Sequence, residues 1–181
     1  LLLGRLWEGD QNCSAVHLSA LLRLCRGDHP SGQVHLPHGT NARRDYDVLL
    51  FVPRLGPIPL EAGPLPLPGA LDCGPWRVLC TQEDYRGQPQ GPWDFWLDRE
   101  VVSTLGLRPR STGDRLTPPG RLGKTVKKWM IEEKLPRFQR EVLPVFHCGE
   151  QVAAVAGLGP DRAFAAQNGK SAWHITVTGV E

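Results

Sequence analysis

The sequence predicts an α+β fold: a sheet of short strands folded as a small sandwich or barrel, with one or two packed helices and an N-terminal helical segment. Three observations lead there. Apolar residues recur at helical spacing in only two places, whereas short runs rich in β-branched and aromatic residues recur between Pro- and Gly-rich breaks. A length of 181 residues, 40% hydrophobic and with six Trp, supplies material for one core with an appendage. No internal repeat is apparent, and many strands with few helices do not follow the alternating order of a parallel α/β sheet.

Taken in order, Asn12 or Ser14 caps a first helix running to about Cys25, with Ala15, Leu18, Leu22 and Cys25 on one face. Gly27 and the cluster Asp28–Gly32 stop it. Gln33–Leu36 and Tyr46–Val52 read as strands around the polar turn His38–Asn41. Pro53–Gly69 is too dense in Pro and Gly for a helix or a central strand and reads as a meander or solvent loop. Trp76–Cys80 and Trp93–Leu97 are further strands, Asp98 caps one helical turn reaching Thr104, and Leu105–Arg110 is a strand. Thr125–Leu135 is the second helix, with Val126, Trp129, Met130 and Glu133 along one stripe, and Pro136 ends it. Val142–His147, Gln151–Ala156 and Trp173–Thr178 complete the strands. Residues 1–27 are read as the helical tail of a preceding linker domain and 28–181 as the main domain, with 105–166 its most diagnostic part.

Charge is unevenly placed. Leu107–Arg140 holds ten Lys or Arg against Asp114, Glu132 and Glu133, a net of +7 in a chain of net +2, so everything else sums to −5. A positive island on an acidic body is the electrostatic footprint of a polyphosphate partner, most commonly RNA or DNA; a merely solvated helix face is the competing reading. The candidate contacts are Arg108, Arg110, Arg115, Lys124, Lys127, Lys128, Lys134, Arg137 and Arg140. Asp114 is placed to hold one guanidinium in a bidentate pair, so Arg115 is either that structural partner or a phosphate ligand, and Arg140 beside Glu141 is similarly open. Trp129 at helical spacing from Val126 and Met130 reads as core.

The same stretch carries a recognisable order: R-x-R-x-x-GDR, PxG, GK-x-x-KK-x-x-I-x-x-K-x-PR-x-x-R, LPV, then VAGLG near Gly157. Upstream lie VHLPHGTNARRDYDVLLF and SAVHLSALLRLC. This resembles the C-terminal region of the tRNA(Ile)-lysidine synthases, bacterial enzymes that modify the wobble cytidine of an isoleucine tRNA. The resemblance implies a tRNA-binding role at the acceptor stem, a cytoplasmic location, a possible homodimer through the full-length enzyme, and a parent carbon–nitrogen ligase whose ATP and Mg belong to another domain. The family's SGGxDS adenylating loop has no counterpart here, because Ser31-Gly32-Gln33 lacks the second Gly and the Asp. No catalytic residue and no cofactor are therefore expected in this chain. A-form RNA is recognised through backbone and 2′-hydroxyl contacts, which suits Arg and Lys on a rigid support. The alternatives are an unrelated RNA- or protein-docking module and a small P-loop phosphotransferase.

Other motifs carry less. GRLGKT at Gly120–Thr125 has Pro118 where a P-loop needs its first Gly, although a helix start beside Lys124 would suit a nucleic-acid phosphate. His29, His35 and His38 are split by Pro37 and have no second ligand cluster, so no metal is expected. GLG at Gly157–Gly159 precedes no helix and reads as a strand-end turn. PLPLPG is weak as a proline-rich ligand. The odd count of five cysteines, without a CxxC pair, reads as reduced thiols. Leu1–Leu3 is followed at once by Gly4, Arg5 and Glu8, so neither a signal peptide nor a membrane span is expected, and the missing initial Met fits a piece of a longer protein.

Overall fold

Ser14 opens the first helix, α1 (Ala15–Arg26), through an exchange with His17: its N–H donates to His17 Nδ1 at 3.2 Å, and its Oγ lies 3.0 Å from the same nitrogen. The computed structural model describes residues 14–53 and 59–179, so Asn12, Cys13 and the start of the Pro-rich stretch lie outside the described residues. The chain divides into two compact units, Leu1–Gly56 and Pro57–Glu181.

In the first unit, α1 packs on a three-stranded antiparallel sheet of β1 (Ser31–Leu36), β2 (Thr40–Asp45) and β3 (Val48–Pro53). The helix turns a different face inward from the one expected. Leu21 is buried and Leu24 half-buried, with Leu36, Ala42, Val34, Leu49 and Phe51 beneath them, whereas Leu18 and Leu22 are 45% and 52% exposed. Leu18 and Leu22, with Ala15 and Cys25, give α1 a second apolar stripe, so periodicity alone could not choose between faces. Gly32 contributes to the choice, because a Cβ there would meet Leu24 Cδ1 at 2.6 Å. Two strands were expected and three are found. The extra one, β2, carries Asn-Ala-Arg-Arg-Asp after Thr40, and its polar groups are satisfied locally. Asn41 Oδ1 lies 2.7 Å from His35 Nδ1, and Arg44 Nη1 donates to the carbonyls of Leu24 at 3.0 Å and Gly27 at 2.5 Å, closing the C-terminal end of α1.

The second unit is built on two antiparallel sheets. One has the order β13 (Gly159–Pro160), β12 (Gln151–Val155), β11 (Val145–Cys148), β8 (Leu105–Arg108), β4 (Gly63–Leu65). The other has the order β5 (Gly69–Cys73), β6 (Trp76–Tyr85), β14 (Lys170–Gly179), β7 (Asp94–Asp98). The Pro-rich stretch supplies β4 at a sheet edge, where the missing N–H of Pro64 costs least. The long strands β6 and β14 pair over their full ten residues, from Lys170↔Tyr85 to Gly179↔Trp76. Both sheets feed one core, in which Phe95 of β7 meets Phe146 of β11 edge-on, ring centroids 5.5 Å apart. Trp173 donates its indole N–H to Val102 O at 2.9 Å, and Trp76 to Val142 O at 2.7 Å. This is the α+β class expected.

Local boundaries moved where hydrogen bonds outrank apolar patterning. Asp98 caps a single turn, its carboxylate accepting the Glu100 N–H and its carbonyl the Val102 N–H, each at 2.9 Å, but that turn closes at Val102 and does not reach Thr104. Val142 and Leu143 are buried but precede β11 rather than belonging to it. On the second sheet, His174 bridges Glu83 at 3.0 Å and Asp94 at 2.6 Å and stacks on Trp96, 4.1 Å between centroids. Burial depresses the His174 pKa, but hydrogen bonds and charge from Asp94 and Glu83 outweigh it and hold the imidazole above its ordinary value.

Candidate nucleic-acid interface

The basic stretch is assembled from the end of β8, a two-stranded ribbon of β9 (Arg115–Leu116) and β10 (Lys124–Thr125), and the helices α2 (Val126–Glu132) and α3 (Arg137–Arg140). The helix expected over Thr125–Leu135 is found, shortened to Val126–Glu132, and α3 is a further turn beyond Pro136. α2 stops early because Lys134 takes a left-handed backbone, φ +53°, and the chain reverses on itself: Lys134 N–H donates to Ile131 O at 3.1 Å and Leu135 N–H to Met130 O at 2.9 Å. Pro136 then opens α3 instead of merely ending α2. The inward stripe of α2 is as expected for Val126, Trp129 and Met130, all buried, while Glu133 is exposed.

Asp114 holds the pieces together. Its carboxylate accepts a bidentate pair from Arg108, Nη1 to Oδ2 and Nη2 to Oδ1 each at 2.8 Å, and the Ser111 N–H at 2.7 Å. Its backbone carbonyl accepts the Val126 N–H at 2.8 Å, the first of α2. Burial pushes the Asp114 pKa up, but the bonds from Arg108 and Ser111, with the charges of Arg108 and Arg110, win and hold it below the usual carboxylate value. Arg108, not Arg115, is therefore the structural partner of Asp114. Arg115 is exposed and reaches only the Gly123 carbonyl, at 3.4 Å.

A second paired group surrounds Trp129. Its ring is buried, its indole N–H donates to Leu116 O at 2.9 Å, and two cations lie over it: the Arg121 guanidinium carbon at 4.0 Å and Lys124 Nζ at 4.4 Å from the centroid. Arg121 bonds Glu133 at 2.6 Å and Glu132 at 3.1 Å, and Lys124 bonds Glu132 at 2.5 Å. The hydrogen bond from Lys124 lowers the Glu132 pKa. Arg121 was not among the residues singled out from the sequence. The eleven- and twelve-residue separations to its acidic partners span a turn and a strand, so no helical or strand periodicity marks them.

The remaining candidates are differently placed. Lys127, Lys128, Lys134 and Arg137 are exposed, Arg110 is half-exposed, and none of these five makes an ion pair among the described residues. Arg140 donates from Nε to Leu135 O at 2.7 Å, across the junction of α2 and α3. The nine named candidates therefore split into cations that brace the fold and cations that face solvent.

Gly120–Thr125 is not a phosphate loop. The chain turns at Pro118–Arg121, with Arg121 N–H on Pro118 O at 3.1 Å, and Lys124 then pairs with Leu116 in the ribbon. Thr125 Oγ1 accepts the Lys128 N–H at 3.4 Å, so donors at the start of α2 are already used by the protein. These residues do not fit a nucleotide phosphate. No group of three or more His, Cys, Asp or Glu is arranged to hold a metal among the described residues, and no described helix is long and apolar enough to cross a membrane. Cys25, Cys73, Cys80 and Cys148 are free thiols, and burial pushes the Cys80 pKa up to about 12. The thiol of Cys80 is thus an inert core group.

Residues 105–177 match the family model described as the TilS substrate C-terminal domain. The tRNA(Ile)-lysidine synthase of Geobacillus kaustophilus is 34% identical over 188 aligned residues, covering 97% of this chain and 39% of that protein. The synthase of Geobacter sulfurreducens is 32% identical, covering 83% of this chain and 33% of its own length. The chain thus spans about two fifths or less of these relatives. A solved structure titled as the crystal structure of the TilS C-terminal domain superposes with a TM-score of 0.57 at 26% identity, over 67% of this chain and 99% of that one.

Proposed function

The chain belongs to the tRNA(Ile)-lysidine synthase family, whose substrate C-terminal domain it carries, and from that premise we propose that this region grips a tRNA acceptor stem while a catalytic domain elsewhere in the protein joins lysine to the wobble cytidine. The observation that carries the reading is where the exposed cations lie. The family match over 105–177 contains the whole basic stretch, and within it Arg110, Arg115, Lys127, Lys128, Lys134 and Arg137 keep their charges turned to solvent. Arg108, Lys124 and Arg140 are committed instead to Asp114, Glu132 and the Leu135 carbonyl. ATP and Mg belong to the catalytic part of the longer protein, and any homodimer is one of the full-length enzyme.

The test is a salt series. If about four phosphates are neutralised, log affinity for tRNA falls against log salt with a slope near −3, at about 0.7 to 0.9 per contact. Replacing Lys127 and Lys128 together by Ala should reduce the slope by about one to two. His35→Ala with His38→Ala should leave it alone, because both lie outside the basic stretch. Anisotropy with a labelled tRNA reads all three proteins, and an unchanged slope in the double Lys variant would remove α2 from the interface.

A further inference from the structure

Beside the basic stretch lies an open cleft of about 510 Å³, bounded by Tyr85 at the end of β6, the Gln90–Pro92 turn, Pro118 and Pro119, the edge of Trp129, and the Gly157–Pro160 turn. We infer that this cleft receives one unpaired nucleobase from the RNA held on the neighbouring lysines. The inference rests on the RNA-binding reading above and adds a ligand group and a place for it.

Three observations lead to a base and not to a phosphate. Much of the wall is rigid: Tyr85, Pro92, Pro118, Pro119 and Pro160 line it beside Gly91, Gly157 and Gly159, so little of it has to be ordered on binding. A planar heterocycle suits such walls, and a cleft of this size falls within the usual range of small-ligand sites, about 300 to 1,000 Å³. The charges in the wall are already matched, since Arg121 and Glu133 line the cleft and bond each other at 2.6 Å. A phosphate would meet the Glu133 carboxylate with Arg121 already engaged. A base instead offers exocyclic N–H groups to Glu133 and a ring face to the Arg121 guanidinium, which lies over Trp129 and is bonded to Glu132 and Glu133.

The cleft is also joined to the lysines by direct contacts. Glu132 bonds both Arg121, which lines the cleft, and Lys124, one residue before the cap of α2. Lys127 and Lys128 follow within the first turn of that helix. An RNA strand held at the N-terminal end of α2 is thus linked through Lys124 and Glu132 to the Arg121 wall of the cleft, and a single-stranded extension of a duplex is the part of an RNA with a base to spare. Gly157 and Gly159 keep the far wall close: both adopt φ near +80° to +90°, and a Cβ on Gly157 would meet Trp93 at 3.1 Å.

The experiment uses the 181-residue chain and two hairpin RNAs. One carries a four-nucleotide 3′ extension; the other carries the same extension with abasic sugars, so the phosphate count is equal. The base-bearing RNA should bind about fivefold or more tightly, the effect of stacking one base. Leu158→Trp, which fills the cleft from its wall, and Tyr85→Ala, which removes one face, should each bring that ratio to below about twofold. Both should leave binding of the abasic RNA unchanged. Circular dichroism and a thermal melt establish that each variant is folded. Equal affinity for the two RNAs in the wild type, or a ratio that survives both folded variants, overturns the cleft assignment while leaving the RNA-binding reading intact. If neither RNA binds, the RNA-binding reading fails and the cleft assignment falls with it.

Discussion

Arg108 and Lys127 carry the same charge in the same basic stretch, and the fold treats them in opposite ways. Arg108 is folded back on a nearly buried carboxylate by two 2.8 Å bonds, its side chain 23% exposed. Lys127 stands in solvent on α2 with no ion pair among the described residues. The same division separates Arg121 and Lys124, stacked over Trp129 and tied to Glu132 and Glu133, from Lys128, Lys134 and Arg137. The difference teaches that a +7 stretch is not seven available charges. Part of it is internal bracing that lets the rest stand on a rigid support, and removing a brace and removing an exposed cation should give opposite patterns of damage.

The largest effect should come from Trp129, the residue on which the bracing set is built. Trp129→Ala removes a buried indole, its hydrogen bond to Leu116 O and the platform under two cations. Burial of that size predicts a loss of about 3–5 kcal/mol in urea-induced unfolding. A loss below about 1 kcal/mol would mean the ring is a surface platform and would erase the boundary between the two sets.

Arg108→Ala comes next. It strands the Asp114 carboxylate, whose side chain is 9% exposed, and should cost about 2 kcal/mol at neutral pH. Because the Asp114 pKa is lowered in the folded state, its share of stability is present above the unfolded carboxylate pKa and is lost as pH falls through the lower folded value. The gap between wild type and Arg108→Ala should therefore narrow below about pH 4. A gap constant with pH would show that Arg108 acts through packing alone. By contrast, Lys127→Ala should leave unfolding within about 0.5 kcal/mol of wild type.

How much of this division was legible beforehand follows from what sequence patterns encode. The buried stripe of α2 was readable because Val126, Trp129 and Met130 recur at helical spacing. The α+β class was readable from strand-sized apolar runs separated by Pro and Gly. The strand β2 was not, because two of its three buried residues, Asn41 and Asp45, are polar, and their fit depends on neighbours such as His35. The face of α1 was ambiguous for the reason already given: two apolar stripes compete, and tertiary packing decides. In the basic stretch, the short link from Arg108 to Asp114 was visible as a GDR turn with guanidinium groups on either side. Which guanidinium closes the pair depends on strand direction, since β8 ends at Arg108 with its side chain toward the turn, whereas Arg115 leaves along β9. The cation pair over Trp129 needed a hairpin to fold back on a helix, a contact without a period.

Lys134 offers the finest test, because the two roles meet in one residue with opposite signs. It occupies the reversal after α2 at φ +53°, a backbone region that penalises any side chain with a Cβ, and where glycine is the usual occupant. A lysine there costs the fold about 1 kcal/mol relative to glycine, while the residue is exposed to solvent. Lys134→Gly should therefore raise the urea midpoint, by an amount equivalent to about 0.5–1 kcal/mol, as the left-handed backbone relaxes. The same change should weaken tRNA binding and make the salt slope shallower by up to about one contact. Lys134→Ala separates the terms: it loses the charge and keeps the strained backbone, so binding should fall as for glycine with no gain in stability. If glycine stabilises the protein and leaves the salt slope unchanged, Lys134 belongs with neither set, and the line between bracing and offered cations must be drawn nearer to Lys128.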